Sequence, residues 1–108
     1  MEGQLWEILV PKYSNNNIEY PIEYHNKWDD KVKEIAGGLT ILRSAKGYWT
    51  DPEGKVYKDA MIPVRIRCDE QSIDKIIDLT LTHYDQEAVL AYLVSEKVKL
   101  VHRNSKNV

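Results

Sequence analysis

Apolar and polar residues alternate with period two in several stretches of the chain and recur with helical period in two others. Leu5 to Val10 reads as a first strand, with Trp6, Ile8 and Val10 on one face and Leu5, Glu7 and Leu9 on the other, because successive side chains alternate across a strand. Trp28, Val32 and Ile35 form a narrow helical stripe, preceded by Asn26 as the expected cap and stopped at Gly37. Leu39 to Ala45 reads as a second strand. It runs through Tyr48-Trp49 into the turn Asp51-Pro52-Glu53-Gly54, and Val56-Tyr57 pairs back. Gly47 within this pattern predicts a bulge or a close approach.

Met61 to Cys68 gives the cleanest alternation. Ile62, Val64, Ile66 and Cys68 face one way; Met61, Pro63, Arg65 and Arg67 face the other. Pro63 predicts an edge position or a bulge. Asp69 caps a second helix whose buried stripe is Ile73, Ile76, Ile77, Thr80, Leu81 and Tyr84. Ala88 to Ser95 is apolar on both faces, the pattern of a central strand covered on both sides. Lys97 to Val101 either extends it past a bulge or forms a short fifth strand.

The order strand, helix, strand, strand, helix, strand predicts an α+β, ferredoxin-like βαββαβ fold. Right-handed crossovers put both helices on one face of a four-stranded antiparallel sheet. The other face carries Arg65 and Arg67 among apolar neighbours, and an open, partly apolar face calls for a partner or ligand. A second copy meeting it sheet to sheet, as a two-fold homodimer, is the simplest expectation.

Residues 1–108 form a single domain, with a long polar loop over 12–26 and a frayed polar tail over 102–108. The formal net charge of −2 argues against duplex nucleic acid as a partner. Lys46-Gly47-Tyr48-Trp49 resembles the start of an RNA-recognition strand signature, but it stands on the wrong strand and continues into Thr50-Asp51. Cys68 is the one cysteine, so no internal disulfide is expected and a reducing cytoplasm is the expected location. No apolar run reaches membrane-spanning length, and no leader is expected from the N-terminal pattern.

The strand Gly38-Leu39-Thr40-Ile41-Leu42, then Gly47-Tyr48-Trp49 and the turn Asp51 to Val56, resembles a small bacterial family of uncharacterised proteins, with Trp28 at the place of that family's helical tryptophan. The resemblance covers roughly residues 25 to 95. It implies a ferredoxin-like α+β fold and carries no activity, cofactor or site.

Candidate chemistry is sparse. His25, His83 and His102 lack metal-ligand spacing, so neither a metal nor another cofactor is expected. His83 ends the second helix, where it suits the helix dipole. Arg65 and Arg67, about 7 Å apart on one strand face, can grip a phosphate or carboxylate; the competing expectation is cross-strand pairing with Glu7. Tyr48 and Trp49 point to opposite faces, so one would serve an exposed platform and the other would pack under a helix.

Three functions remain open. One is a homodimeric, non-enzymatic module binding a small anionic ligand, a nucleotide or carboxylate, through Arg65, Arg67, Tyr48 and the long loop. One is a small enzyme with His25 as base, lining a pocket with Tyr24 and Tyr48, and an arginine as oxyanion partner. The third is a protein-interaction or inhibitor module acting at an exposed sheet edge.

Overall fold

The computed structural model describes residues 2–103. The elements are β1 (Glu2–Pro11), α1 (Ile22–Ala36), β2 (Thr40–Ile41), β3 (Ala45–Thr50), β4 (Val56–Cys68), α2 (Glu70–His83) and β5 (Ala91–Lys99). The sheet is antiparallel in order β2-β4-β1-β5, with β3 pairing the outer half of β4. This is the ferredoxin-like arrangement. It has five strands because the second predicted strand is divided into β2 and β3.

Pro63 supplies the reason for that division. It lies in the interior strand β4, opposite Leu9 of β1, and not at an edge. Its carbonyl accepts from the Leu42 N–H at 2.9 Å, but proline has no N–H to return. Pairing with β2 therefore stops after Thr40↔Arg65 and Ile41↔Val64, and resumes as β3 at Ala45↔Met61.

The core lies between the sheet and both helices. Ile8 and Val10 of β1 and Val64 and Ile66 of β4 pack with Trp28 and Val32 of α1 and with Ile73, Ile76 and Tyr84 of the α2 segment. The even-numbered positions of β1 and β4 supply the apolar side chains buried against the helices, which fixes the register. Trp28 donates its indole N–H to Thr80 Oγ1 at 3.0 Å, and Thr80 in turn donates to the Ile76 carbonyl at 2.6 Å. Two buried polar groups are satisfied this way without water.

Helix α2 starts as expected: Asp69 accepts the Ser72 N–H at 2.8 Å. Helix α1 does not. It begins at Ile22 with Pro21 as its cap and no side-chain capping bond, so Asn26 is inside the helix and the loop closes at residue 21. Pro21 can stand there because its missing N–H would have no helical partner. Ser14 and Asn17 form the expected turn, with Asn17 at φ 63°. At the other end Gly37 takes φ 85° and its N–H reaches the Lys33 carbonyl, the predicted stop.

The reading of Ala88 to Ser95 as a central strand is corrected. Strand β5 starts at Ala91, continues to Lys99, and pairs with β1 alone among the described residues, at the sheet edge. Lys97 to Lys99 thus extends it, and register shifts on either side of Leu5 mark the irregularity. Leu90, Tyr92, Leu93 and Val94 are exposed, so its two-sided apolarity reflects surface and not burial. The tail from Asn104 lies outside the described residues.

Beyond Met61, β3 and β4 form a two-stranded arm. Asp51 organises its turn, accepting the Glu53 and Lys55 N–H groups at 3.0 and 2.9 Å, with Gly54 at φ 87°. Trp49 stacks on Tyr57 at 4.2 Å and donates to Asp59 at 2.8 Å. Neither Tyr48 nor Trp49 packs under a helix; both are exposed on the arm. Gly47 marks neither a bulge nor a close backbone approach: it pairs in register with Asp59, and the atom a Cβ there would meet, at 2.7 Å, is Cε at the end of the Met61 side chain.

Candidate functional site

The sequence-predicted residues fall into three places. Arg65 and Arg67 lie on the sheet face opposite the helices. Tyr48 sits on the arm, paired with Lys58. His25 and Tyr24 lie where α1 begins and α2 ends. Seven residues of strand separate Lys58 from Arg65, about 23 Å at strand rise, so one chain does not bring Tyr48 to the arginines.

The arginine face is built by strand register. Glu7 is directly opposite Arg65 on one side and Tyr92 on the other. Arg65 Nε donates to Glu7 Oε1 at 2.9 Å, and the Tyr92 hydroxyl donates to Glu7 Oε2. Glu7 is only 6% exposed, a charged side chain sunk in a sheet face that no helix covers. Both its oxygens are engaged, as burial of a carboxylate requires. The expected cross-strand pairing of Arg65 with Glu7 is thus present, and it is made through Nε, the inner nitrogen of the guanidinium. Tyr92 escaped the sequence reading because its partner is 85 residues away.

Arg65 and Arg67 border an open hollow of about 250 Å³, lined also by Leu5 of β1, the α1–β2 junction from Ala36 to Thr40, and Leu100. Among the described residues no carboxylate lies within 4 Å of Arg67. Gly3 stands beside it: a Cβ there would come within 3.3 Å of Arg67 Cγ. Cys68, next along β4, has its thiol pushed up to about 11 by burial and by Asp69, so it is not a nucleophile at neutral pH.

On the helix side, His25 Nδ1 lies 2.6 Å from the Tyr84 hydroxyl. Burial pushes the Tyr84 hydroxyl well up, so it stays protonated, and the His25 tautomer sets which of the two groups donates. Burial also lowers the His25 pKa, against the pull of Asp29, and His83 lowers it further; burial raises Asp29. Tyr24 stacks on Tyr20 at 5.1 Å and donates to the His83 carbonyl, while His83 Nε2 donates to the Tyr24 carbonyl at 2.8 Å. His25, Asp29 and Tyr84 rim an apolar hollow of about 90 Å³ between Trp28, Ile41 and Val64. This hollow and the arginine hollow lie on opposite faces of the sheet, so His25 and an arginine do not share a cavity. The pairing of residue 25 with residue 84 left no local trace in the sequence.

Among the described residues no three of His, Cys, Asp and Glu gather in a way that could hold a metal ion. No helix among them is long and apolar enough to cross a membrane.

No family model and no curated protein matches the chain. Solved structures do. CutA1 from Oryza sativa aligns at 14% identity and TM-score 0.65, over 97% of this chain and 87% of that one. The periplasmic divalent cation tolerance protein CutA from Archaeoglobus fulgidus aligns at 11% identity and TM-score 0.64, over 99% and 93%. A phage SAM lyase in complex with S-methyl-5'-thioadenosine aligns at 14% identity and TM-score 0.65, over 91% and 90%. Likeness at this level is likeness of fold, here over nearly the whole of each chain.

Proposed function

We propose that this chain is a cytoplasmic, self-associating binding domain for a small anionic molecule, a carboxylate or nucleotide, and that the ligand is held by Arg65 and Arg67. The observation that carries the reading is the hollow beside both guanidiniums on the face that the helices leave open. Glu7 occupies Arg65 at Nε and leaves its outer nitrogens for a ligand. Arg67 has no carboxylate within 4 Å among the described residues. Planar guanidinium forks suit the two oxygens of a carboxylate or phosphate.

A second copy packed against this face as a homodimer would close the hollow, and is the only source of a Tyr48 near the arginines. The phage neighbour's complex with a nucleoside supports a nucleotide-like ligand on this fold. The divalent cation tolerance for which the CutA neighbours are named is matched by no group of metal-ligating side chains among the described residues of one chain. The test is the double change Arg65→Ala and Arg67→Ala, read by native mass spectrometry and by binding of AMP and citrate. Loss of binding with the oligomer intact is expected; unchanged binding overturns the assignment.

A second reading is enzymatic. It is favoured by His25, neutral at pH 7, facing a hollow with Asp29 and with Tyr24 beside it. His25 would act as base through Nε2 in the tautomer whose Nδ1–H donates to the Tyr84 hydroxyl oxygen. It would act without an arginine as oxyanion partner in the same chain. A pH–rate profile lacking an acid limb below 6.5 would count against it.

A further inference from the structure

We infer that the molecule held at the arginine hollow carries a zwitterionic head: it is an α-amino acid with an aliphatic side chain, or a larger molecule ending in an amino-acid group. This rests on the anion-binding reading just given and narrows it.

Size is the first consideration. Small-molecule pockets usually enclose roughly 300–1,000 Å³, and this hollow encloses about 250 Å³. It suits a head group and not a whole nucleotide.

Charge is the second. One wall is cationic, with Arg65 and Arg67. A second wall is formed at the C-terminal end of α1, by Ala36 and Gly37. The last carbonyls of a helix have no helical donor, and the end carries about half a negative charge. Gly37 satisfies the Lys33 carbonyl, which leaves those of Glu34, Ile35 and Ala36 beyond it. Lys33 is the basic residue of the last turn, and it is drawn to Asp30 at 3.1 Å. The helix end is therefore not neutralised by its own lysine.

A bare anion would be favoured by one wall and opposed by the other. A carboxylate joined through one carbon to an ammonium satisfies both. Leu5, Leu39 and Leu100 add apolar surface to the same lining, which selects an aliphatic side chain.

The experiment is an NMR titration of ¹⁵N-labelled protein, as purified, with L-leucine, 4-methylpentanoate and L-leucinamide. L-leucine is expected to shift the amides of Gly37, Gly38, Thr40, Arg65 and Arg67. 4-Methylpentanoate, which lacks the ammonium, should bind at least about threefold more weakly. L-leucinamide, which lacks the carboxylate, should bind at least about tenfold more weakly. If 4-methylpentanoate binds as well as L-leucine, the zwitterion is overturned and the anion site stands. If L-leucinamide binds as well as L-leucine, or none of the three shifts these amides, both fall.

Discussion

Glu7 and Arg65 face each other across β1 and β4, joined at 2.9 Å through the inner guanidinium nitrogen, with Tyr92 holding the second carboxylate oxygen from β5. One buried carboxylate thus ties three strands and sets the direction of the arginine. Glu7→Gln keeps the shape and removes the charge. It should cost about 1–2 kcal/mol in urea unfolding, since the carboxylate side is buried and the arginine is half in water. If Arg65 binds ligand, Glu7→Gln should also weaken binding, and Glu7→Asp should recover part of it. Full affinity in Glu7→Gln would separate the pair from the site.

The three tryptophans should respond differently. Trp28 is 1% exposed and its N–H is satisfied by Thr80; Trp28→Ala should cost about 3–5 kcal/mol. Trp49 is half exposed on the arm; Trp49→Ala should cost less than about 1 kcal/mol. Trp6 has a buried indole N–H with no partner among the described residues. Trp6→Phe should therefore cost less than Trp28→Phe, because it also removes an unpaired donor. Denaturant midpoints of the variants check the order.

Thr80→Val leaves the Trp28 N–H buried without an acceptor. A loss of about 1–3 kcal/mol is expected, with Thr80→Ser close to the parent. A loss in the serine variant with none in the valine variant would show that the methyl group matters and the hydroxyl does not.

Acid should weaken the junction of α1 and α2. The folded pKa of His25 lies below its ordinary 6.5, chiefly through burial. The unfolded chain then binds more protons in that window, so stability rises with pH there. The His25 contribution is complete above 6.5 and is lost as pH falls through the lower folded value. Asp29, raised above 3.8 by burial, acts in the opposite sense: its contribution is complete below 3.8 and is lost as pH rises through its folded value. His25→Gln should flatten the dependence of Tm between pH 7 and pH 5; an unchanged slope would assign it elsewhere.

The legible parts of the fold were those with one local cause. The alternation of Ile62, Val64 and Ile66, the stripe of α2 and the Asp69 cap each lie within a few residues of their signal. The illegible parts depend on partners far along the chain. The break after Ile41 is imposed by Pro63, and β5 is an edge only because β1 is flanked by β4 on its other side. At the site, Arg65 and Glu7 could be matched from strand faces. Tyr92 and the His25–Tyr84 pair could not, because register across 85 and 59 residues has no local signature.

Strand order also bears on how the chain is made. β1 precedes the other described strands, yet it lies inside the sheet between β4 and β5. Its partners begin at Met61 and at Ala91. At about 5–20 residues per second on the ribosome, the edges of β1 wait about 3–10 s for the first of them. During that interval α1 alone can cover the apolar face of Trp6, Ile8 and Val10, and both edges of the strand stay unpaired. Nascent-chain chaperones should therefore meet this protein through its first dozen residues, and fusing β5 ahead of β1 in a circular permutant should shorten the encounter.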